Sequence, residues 1–231
     1  MNVREIVLDT ETTGLSPLKG DRLVEVGCVE LINLMPTGNV FHRYINPERD
    51  VPDEASRVHG LTNDFLADKP LFAAEVDGFL AFIGEAPLVI HNAPFDMGFI
   101  NAELTRCGFR NLPMTRAVDT LPMARKKFPG APASLDALCK RFGVDLSSRD
   151  FHGALLDARL LADVYLELMG GRQPDLAVTK EEGVAAAAVF IDGEVQRTFK
   201  AARVHAPSAE EAAAHEAWLA KIKNPLWKSA G

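Results

Sequence analysis

Long apolar runs are missing: nothing approaches the roughly 20 residues that a bilayer span requires, and Met1 to Glu5 lead straight into a strand-like segment without a signal-type apolar stretch. The expectation is a cytoplasmic protein that engages no membrane. Cysteine is scarce as well. Cys28, Cys107 and Cys139 are odd in number and far apart, which supports neither a disulfide framework nor a Cys-x-x-Cys metal site and predicts reduced core thiols. Excess positive charge is also absent, since the formal net charge is -7. Broad electrostatic coating of nucleic acid needs many lysine and arginine contacts to phosphates, so this charge balance argues against that mode of binding. Any nucleic-acid substrate must be gripped locally or delivered by a partner; the short basic run Arg125-Lys126-Lys127 is a candidate for local help, with a solvated face as the plainer reading.

What is present suits a soluble α/β fold. A chain of 231 residues with 47% hydrophobic and 25% charged content is enough for one good core and an appendage. Ile6 to Asp9 reads as a buried strand ending in an acidic, threonine-rich turn closed by Gly14, and Leu23 to Leu31 and Val40 to Ile45 read as two more strands separated by the turn signal Pro36-Thr37-Gly38-Asn39. Three strands in quick succession predict an antiparallel meander. The rhythm then changes, with helical spacing at Leu71 to Ile83, Pro94 to Cys107, Leu121 to Lys127, Ser134 to Phe142 and Ala154 to Met169, and short strands at Leu88 to Ile90 and Ala117 to Thr120. Such alternation adds parallel strands to a sheet already made, giving a mixed sheet with helices on its faces. Gly170-Gly171 stop the last long helix, so the division expected is a domain over 1–171 and a tail over 172–231. Within the tail, Ser208 to Lys223 reads as a helix capped by Ser208 with Glu211 three residues on.

Asp9 and Glu11 are two residues apart on an extended strand, so both carboxylates point to one face. Like charges a few ångströms apart raise one another's pKa unless a cation lies between them, which makes the pair suitable as half of a divalent-metal site; a solvated strand end is the plain alternative. Asp96 follows the strand Leu88 to Ile90 through a strand-to-helix transition with Asn92 as candidate N-cap; taken alone, it is an acid favoured by a helix dipole. Two strands that each deliver acids at their ends shift that balance, because α/β sheets place ligands there. Asp157 lies among Leu155, Leu156, Leu160 and Leu161, where a desolvated acid needs a metal or a base. His152 would sit about 140° around the axis from Asp157 in a continuous helix. A helix beginning after Gly153 instead leaves His152 on a lead-in that reaches the same site, and imidazole is the natural general base at neutral pH. Four acids suit two hard divalent cations, Mg²⁺ or Mn²⁺, that activate water and stabilise the leaving oxygen in a phosphodiester displacement.

The runs Ile6-Val-Leu-Asp9-Thr-Glu11-Thr-Thr-Gly14, His91-Asn92-Ala-Pro-Phe-Asp96 and His152-Gly-Ala-Leu-Leu-Asp157-Ala resemble the three motifs of the DEDDh family of 3′-to-5′ exonucleases, and more narrowly the epsilon proofreading subunits of bacterial DNA polymerase III. The motifs occur in the family's order up to about Met169. The resemblance implies an RNase H-like fold, Asp9, Glu11, Asp96 and Asp157 as metal ligands, and His152 as general base. It further implies that Glu54 and His59, in a stretch otherwise read as a loop and short helix, contact the terminal nucleotide of a single-stranded or frayed DNA 3′ end. Thr10, Thr12 and Asn92 are further candidate substrate contacts.

The tail carries no motif acid, and its Trp218, Leu219, Ile222 and Trp227 would be a liability if left uncovered, so it reads as a tether that folds on a partner. The resemblance implies that this partner is the polymerase III catalytic (alpha) subunit; Gln173-Pro-Asp-Leu176, lacking the usual terminal aromatic, resembles a peptide for the sliding clamp. Two other readings stand beside proofreading: an exoribonuclease trimming RNA 3′ ends, and a structural bridge between polymerase and clamp.

Overall fold

The protein is described from a computed structural model that covers residues 3–147, 151–171 and 207–222. One five-stranded sheet has the order β3-β2-β1-β4-β5, built from β1 (Arg4–Thr12), β2 (Leu23–Ile32), β3 (Met35–Tyr44), β4 (Leu88–Ile90) and β5 (Ala117–Asp119). The first three strands form an antiparallel meander, and β4 and β5 extend it in parallel from β1. The helices are α1 (Asp53–His59), α2 (Asn63–Leu66), α3 (Phe72–Ile83), α4 (Ala93–Arg106), α5 (Thr120–Lys127), α6 (Leu135–Phe142), α7 (Ala154–Leu168) and α8 (Ala209–Leu219). This is the mixed sheet that the pattern of strands and helices predicts.

Strand alternation divides the core into two layers. On one face Ile6, Leu8, Cys28, Phe41, Leu88 and Ile90 pack in one cluster with residues of α3 and α4. On the other, Val7, Val29, Leu31 and Val89 pack against Ala158, Leu161, Ala162 and Tyr165 of α7. Such layers hold because each buried aliphatic or aromatic side chain contributes about 1.5–3 kcal/mol relative to exposure. Glu5 crosses between sequence-distant elements, its Oε1 accepting a 2.8 Å bond from the buried hydroxyl of Tyr165.

Several details differ from the expectations. β1 runs on to Thr12 because Asp9, Thr10 and Glu11 still pair with Gly27, Val26 and Glu25 of β2, so the acids lie within a paired strand and not in a turn. The β2–β3 turn falls at Asn33 and Leu34, both left-handed at φ 51° and 67°, as a two-residue type I′ hairpin requires. Residues 36–39 are consequently inside β3, an edge strand that tolerates a proline. Lys127 is more than a solvated charge: its Nζ donates to the carbonyls of Glu167 and Leu168 at 2.8 and 3.0 Å, satisfying the end of α7. Cys28 and Cys139 are buried and Cys107 is half-buried, all as free thiols.

The chain divides into two units, Met1–Val178 and Thr179–Gly231. In the second, Ser208 and Glu211 form the reciprocal capping box at the start of α8. Trp218 is exposed, as expected, whereas Leu219 is buried. Gln173-Pro-Asp-Leu176 and Trp227 lie outside the described residues. Among the described residues no helix is long and apolar enough to cross a membrane.

Candidate active site

The alternation that sorts the core also sorts the polar end of β1. Ile6 and Leu8 face α3 and α4 while Val7 faces α7, so continuing the two-residue period puts Thr10 on the α4 face and Asp9 and Glu11 on the α7 face. α4 begins where β4 ends. Its first turn carries Asp96, buried, whose Oδ1 accepts a 2.7 Å hydrogen bond from the Thr10 hydroxyl. Asn92 stands at the N-cap position but makes no side-chain cap; its backbone is left-handed at φ 66°. Asp119 holds that turn instead, its Oδ1 accepting from the amides of Asn92 and Leu121, both at 3.0 Å.

From the opposite side comes α7, with Gly153 as N-cap and Asp157 buried in its first turn. The approach is possible only because residue 27, opposite Asp9 in β2, is glycine: a Cβ there would lie 2.3 Å from the carbonyl carbon of Ala154 and the nitrogen of Leu155. Both clashing atoms are backbone, so a side chain must displace the helix. Gly27→Ala is therefore expected to cost about 1–3 kcal/mol through overpacking and, by moving Asp157 relative to Asp9, to slow turnover on the order of a hundredfold. Melting and a turnover assay on the same preparation check this; an alanine variant equal to wild type in both contradicts the packing account.

His152 lies just ahead of the helix, with Nδ1 3.4 Å from Oδ2 of Asp157. Glu11, His152 and Asp157 each offer one ligand atom within 4.8 Å of the other two. The lead-in is anchored, because the His152 amide donates to the Val58 carbonyl at 3.0 Å.

Electrostatics mark the same place. Burial pushes the Asp9 carboxyl well above the usual carboxylate range, and the charges of Asp96, Glu11, Asp157 and Glu25 push it further. Burial likewise raises Asp96 to about 7, against the opposing hydrogen bond from Thr10. Acids that destabilise one another's charged forms fit a divalent cation, which would relieve both the desolvation and the repulsion.

Beside Glu11 opens a cavity of about 550 Å³, walled by Thr12, Phe95 and the α1 residues Glu54, Val58 and His59. Glu54 is exposed and His59 buried. The Nδ1 of His59 accepts a 3.0 Å bond from the Leu61 amide, while its buried Nε2 makes no hydrogen bond. Burial lowers its pKa, partly offset by the charge of Glu25. An unsatisfied buried nitrogen costs about 1–3 kcal/mol, so its place on the wall suits a polar group of a ligand. The Thr12 hydroxyl is turned away to the Gly14 carbonyl at 2.6 Å, and Asn92 does not line the cavity.

Sequence reasoning missed Glu25, which opposes Glu11 across the β1–β2 pair and whose Oε1 lies 2.6 Å from Nε2 of His42. Its signal was a lone acid inside the apolar run Leu23-Val24-Glu25-Val26. Phe95 and Gly27 were missed too, and neither has a signal without the tertiary contact.

Residues 6–165 match the exonuclease (RNase_T) family profile. A protein of Rickettsia felis named DNA polymerase III subunit epsilon is 49% identical over 224 residues, covering 96% of this chain and 97% of its own length. The chain belongs to the epsilon exonucleases of DNA polymerase III. Its activity is that of a 3′-to-5′ exonuclease. Among solved structures, exonuclease X in complex with 5′ overhanging duplex DNA superposes with a TM-score of 0.55 at 26% identity, over 71% of this epsilon exonuclease and 90% of that chain. The nuclease domain of 3′hExo, a DEDDh family member bound to rAMP, shares the fold with a TM-score of 0.61 at 18% identity, over 73% and 92% of the two chains. These two structures thus leave about a quarter of the epsilon exonuclease unmatched, whereas the Rickettsia relative extends through most of it.

Proposed function

We propose that this exonuclease proofreads DNA by hydrolysing the terminal phosphodiester of a mispaired 3′ end, with Asp9, Glu11, Asp96 and Asp157 holding two divalent cations, Mg²⁺ or Mn²⁺. The observation that carries this is the convergence of Glu11, His152 and Asp157 within 4.8 Å beside Asp9, in a chain of this family. When bound, the cations supply Lewis-acid stabilisation of the leaving oxygen and a more acidic water. The chain's own groups do the rest. His152 turns Nδ1 toward Asp157 and takes the proton of the attacking water at Nε2. Glu54 and the buried His59 seat the terminal nucleotide in the cavity beside Glu11. Thr10 and Thr12, whose hydroxyls are engaged by Asp96 and Gly14, contribute backbone contacts, and Asn92 offers its side chain from the β4 end. An unpaired end enters more readily because it costs less to splay from the duplex.

The substrate is tested by digesting matched, mispaired and RNA 3′ ends with Mg²⁺ and then with excess chelator. Mispaired DNA is expected to be cut fastest, with all cleavage stopped by the chelator. Faster cutting of RNA ends makes the enzyme an exoribonuclease and overturns this reading.

The domain division proposed is an exonuclease over 1–171 and a partner-binding tail over 172–231 that acts in the cytoplasm. The tail binds the polymerase III alpha subunit, with the sliding clamp as a second partner. Support comes from the relatives: the epsilon match covers 96% of the chain, while the exonuclease X match covers 71%. Exposed Trp218 is the anchor expected of such a contact. Truncation after Gly171 is expected to leave digestion of short single strands nearly unchanged and to abolish co-elution with the alpha subunit. A truncated protein that unfolds, or that binds with full affinity, contradicts the tether.

A further inference from the structure

The helix that walls the nucleotide cavity also touches the segment carrying the general base. α1 ends at His59, and Gly60 follows in the left-handed conformation at φ +74°, its amide closing on the Ser56 carbonyl. The ring of Phe151 lies over that glycine: a Cβ at residue 60 would come 3.1–3.4 Å from three ring carbons. Asp53, Ser56, Arg57 and Gly60 line a surface recess of which Phe151 forms another wall. One residue on, the His152 amide donates to the Val58 carbonyl at 3.0 Å. Phe151 remains 57% exposed. A large apolar side chain kept at the surface, against a glycine that a methyl group would crowd, contributes less through burial than through the place it gives its neighbour.

We infer that Phe151 is a positioning residue: its packing on Gly60, with the bond from His152 to Val58, fixes the imidazole of His152 to the same helix that holds Glu54 and His59. His152 and Gly153 stand between this anchor and the first turn of α7, and neither belongs to a helix or strand. Without the anchor the ring has rotational freedom about that short link. With it, nucleotide wall and base move as one body, so a nucleotide seated on α1 meets a base already aligned. The inference rests on the proposed role of His152 as base.

The test uses the full chain and four proteins besides wild type: Phe151→Ala, Phe151→Leu, His152→Ala and the Phe151→Ala/His152→Ala double variant. Because misplacing a catalytic group by about an ångström costs up to a hundredfold, Phe151→Ala is expected to lower kcat roughly tenfold while KM for single-stranded DNA changes by less than about twofold. Phe151→Leu, which keeps an apolar body on the glycine, is expected to recover most of the rate. In the His152→Ala background the Phe151→Ala change is expected to have almost no further effect, because the group it positions is gone. An equal loss in both backgrounds, a loss confined to KM, or no rescue by leucine overturns the inference. If His152→Ala is slow while Phe151→Ala runs at the wild-type rate, the positioning role alone fails. If His152→Ala itself runs at the wild-type rate, the assignment of the base fails first.

Discussion

Asp9→Ala and Asp157→Ala are each expected to abolish hydrolysis while leaving the cation-free fold as stable as wild type or more so. The loss follows from removing an oxygen ligand from a site where Glu11, His152 and Asp157 already converge within 4.8 Å. The stability result follows from the raised carboxyls. A group whose folded pKa exceeds its unfolded value binds more protons in the native state, so stability falls as pH rises through that interval. For Asp96 the interval runs from the ordinary carboxylate range to about 7, and the raised Asp9 acts in the same direction, so the cation-free protein is less stable at neutral pH than at mildly acidic pH. Removing one acid lifts part of that penalty. Acidifying cation-free wild type from neutrality should likewise raise its melting temperature before general acid unfolding sets in. Turnover and cation-free melting of both variants check the assignment. A variant that keeps more than a small fraction of wild-type turnover removes that residue from the metal-ligand set, and a large drop in cation-free melting temperature makes the acid structural.

His152→Ala is expected to lose turnover by roughly a hundredfold or more, within the 10² to 10⁴ that a positioned base supplies, yet to bind DNA ends as wild type does. Binding survives because the cavity wall is made by Glu54, Val58 and His59 on α1, with Thr12 and Phe95, and the imidazole of His152 is not part of it. A variant with unchanged kcat would take His152 out of the mechanism.

Much of this site is legible along the chain because its acids are fixed by local periodicity. Asp9 and Glu11 share a face by strand alternation, and Asp96 and Asp157 open helices behind short lead-ins, so each could be placed without knowing what it faces. The mixed sheet was legible for the same reason, since a change from strand spacing to helix spacing is visible in apolar residues alone. Where local signals competed, the stronger polar cluster misled: Pro36 to Asn39 carry turn residues, but Asn33 and Leu34 are the pair that turns, left-handed at both positions. A leucine in that conformation is not anticipated from composition. What remained hidden depends on contacts between distant segments. Gly27 matters only because Ala154 arrives against it, Glu25 because register sets it opposite Glu11, and Gly60 because Phe151 lies over it. The proposed nucleotide contact of His59 rests on family resemblance and not on its own spacing; the fold adds that its Nε2 is buried on the cavity wall without a partner.

The gathering of these carboxylates around divalent cations is tested most directly by the Mg²⁺ dependence of the melting temperature, compared among wild type, Asp9→Ala and His152→Ala. Binding to the native state alone stabilises it in proportion to the logarithm of cation concentration. Wild type and His152→Ala are expected to rise together as Mg²⁺ increases, while Asp9→Ala stays nearly level. A wild-type melting temperature indifferent to Mg²⁺, or an Asp9→Ala variant that rises as steeply as wild type, contradicts the account.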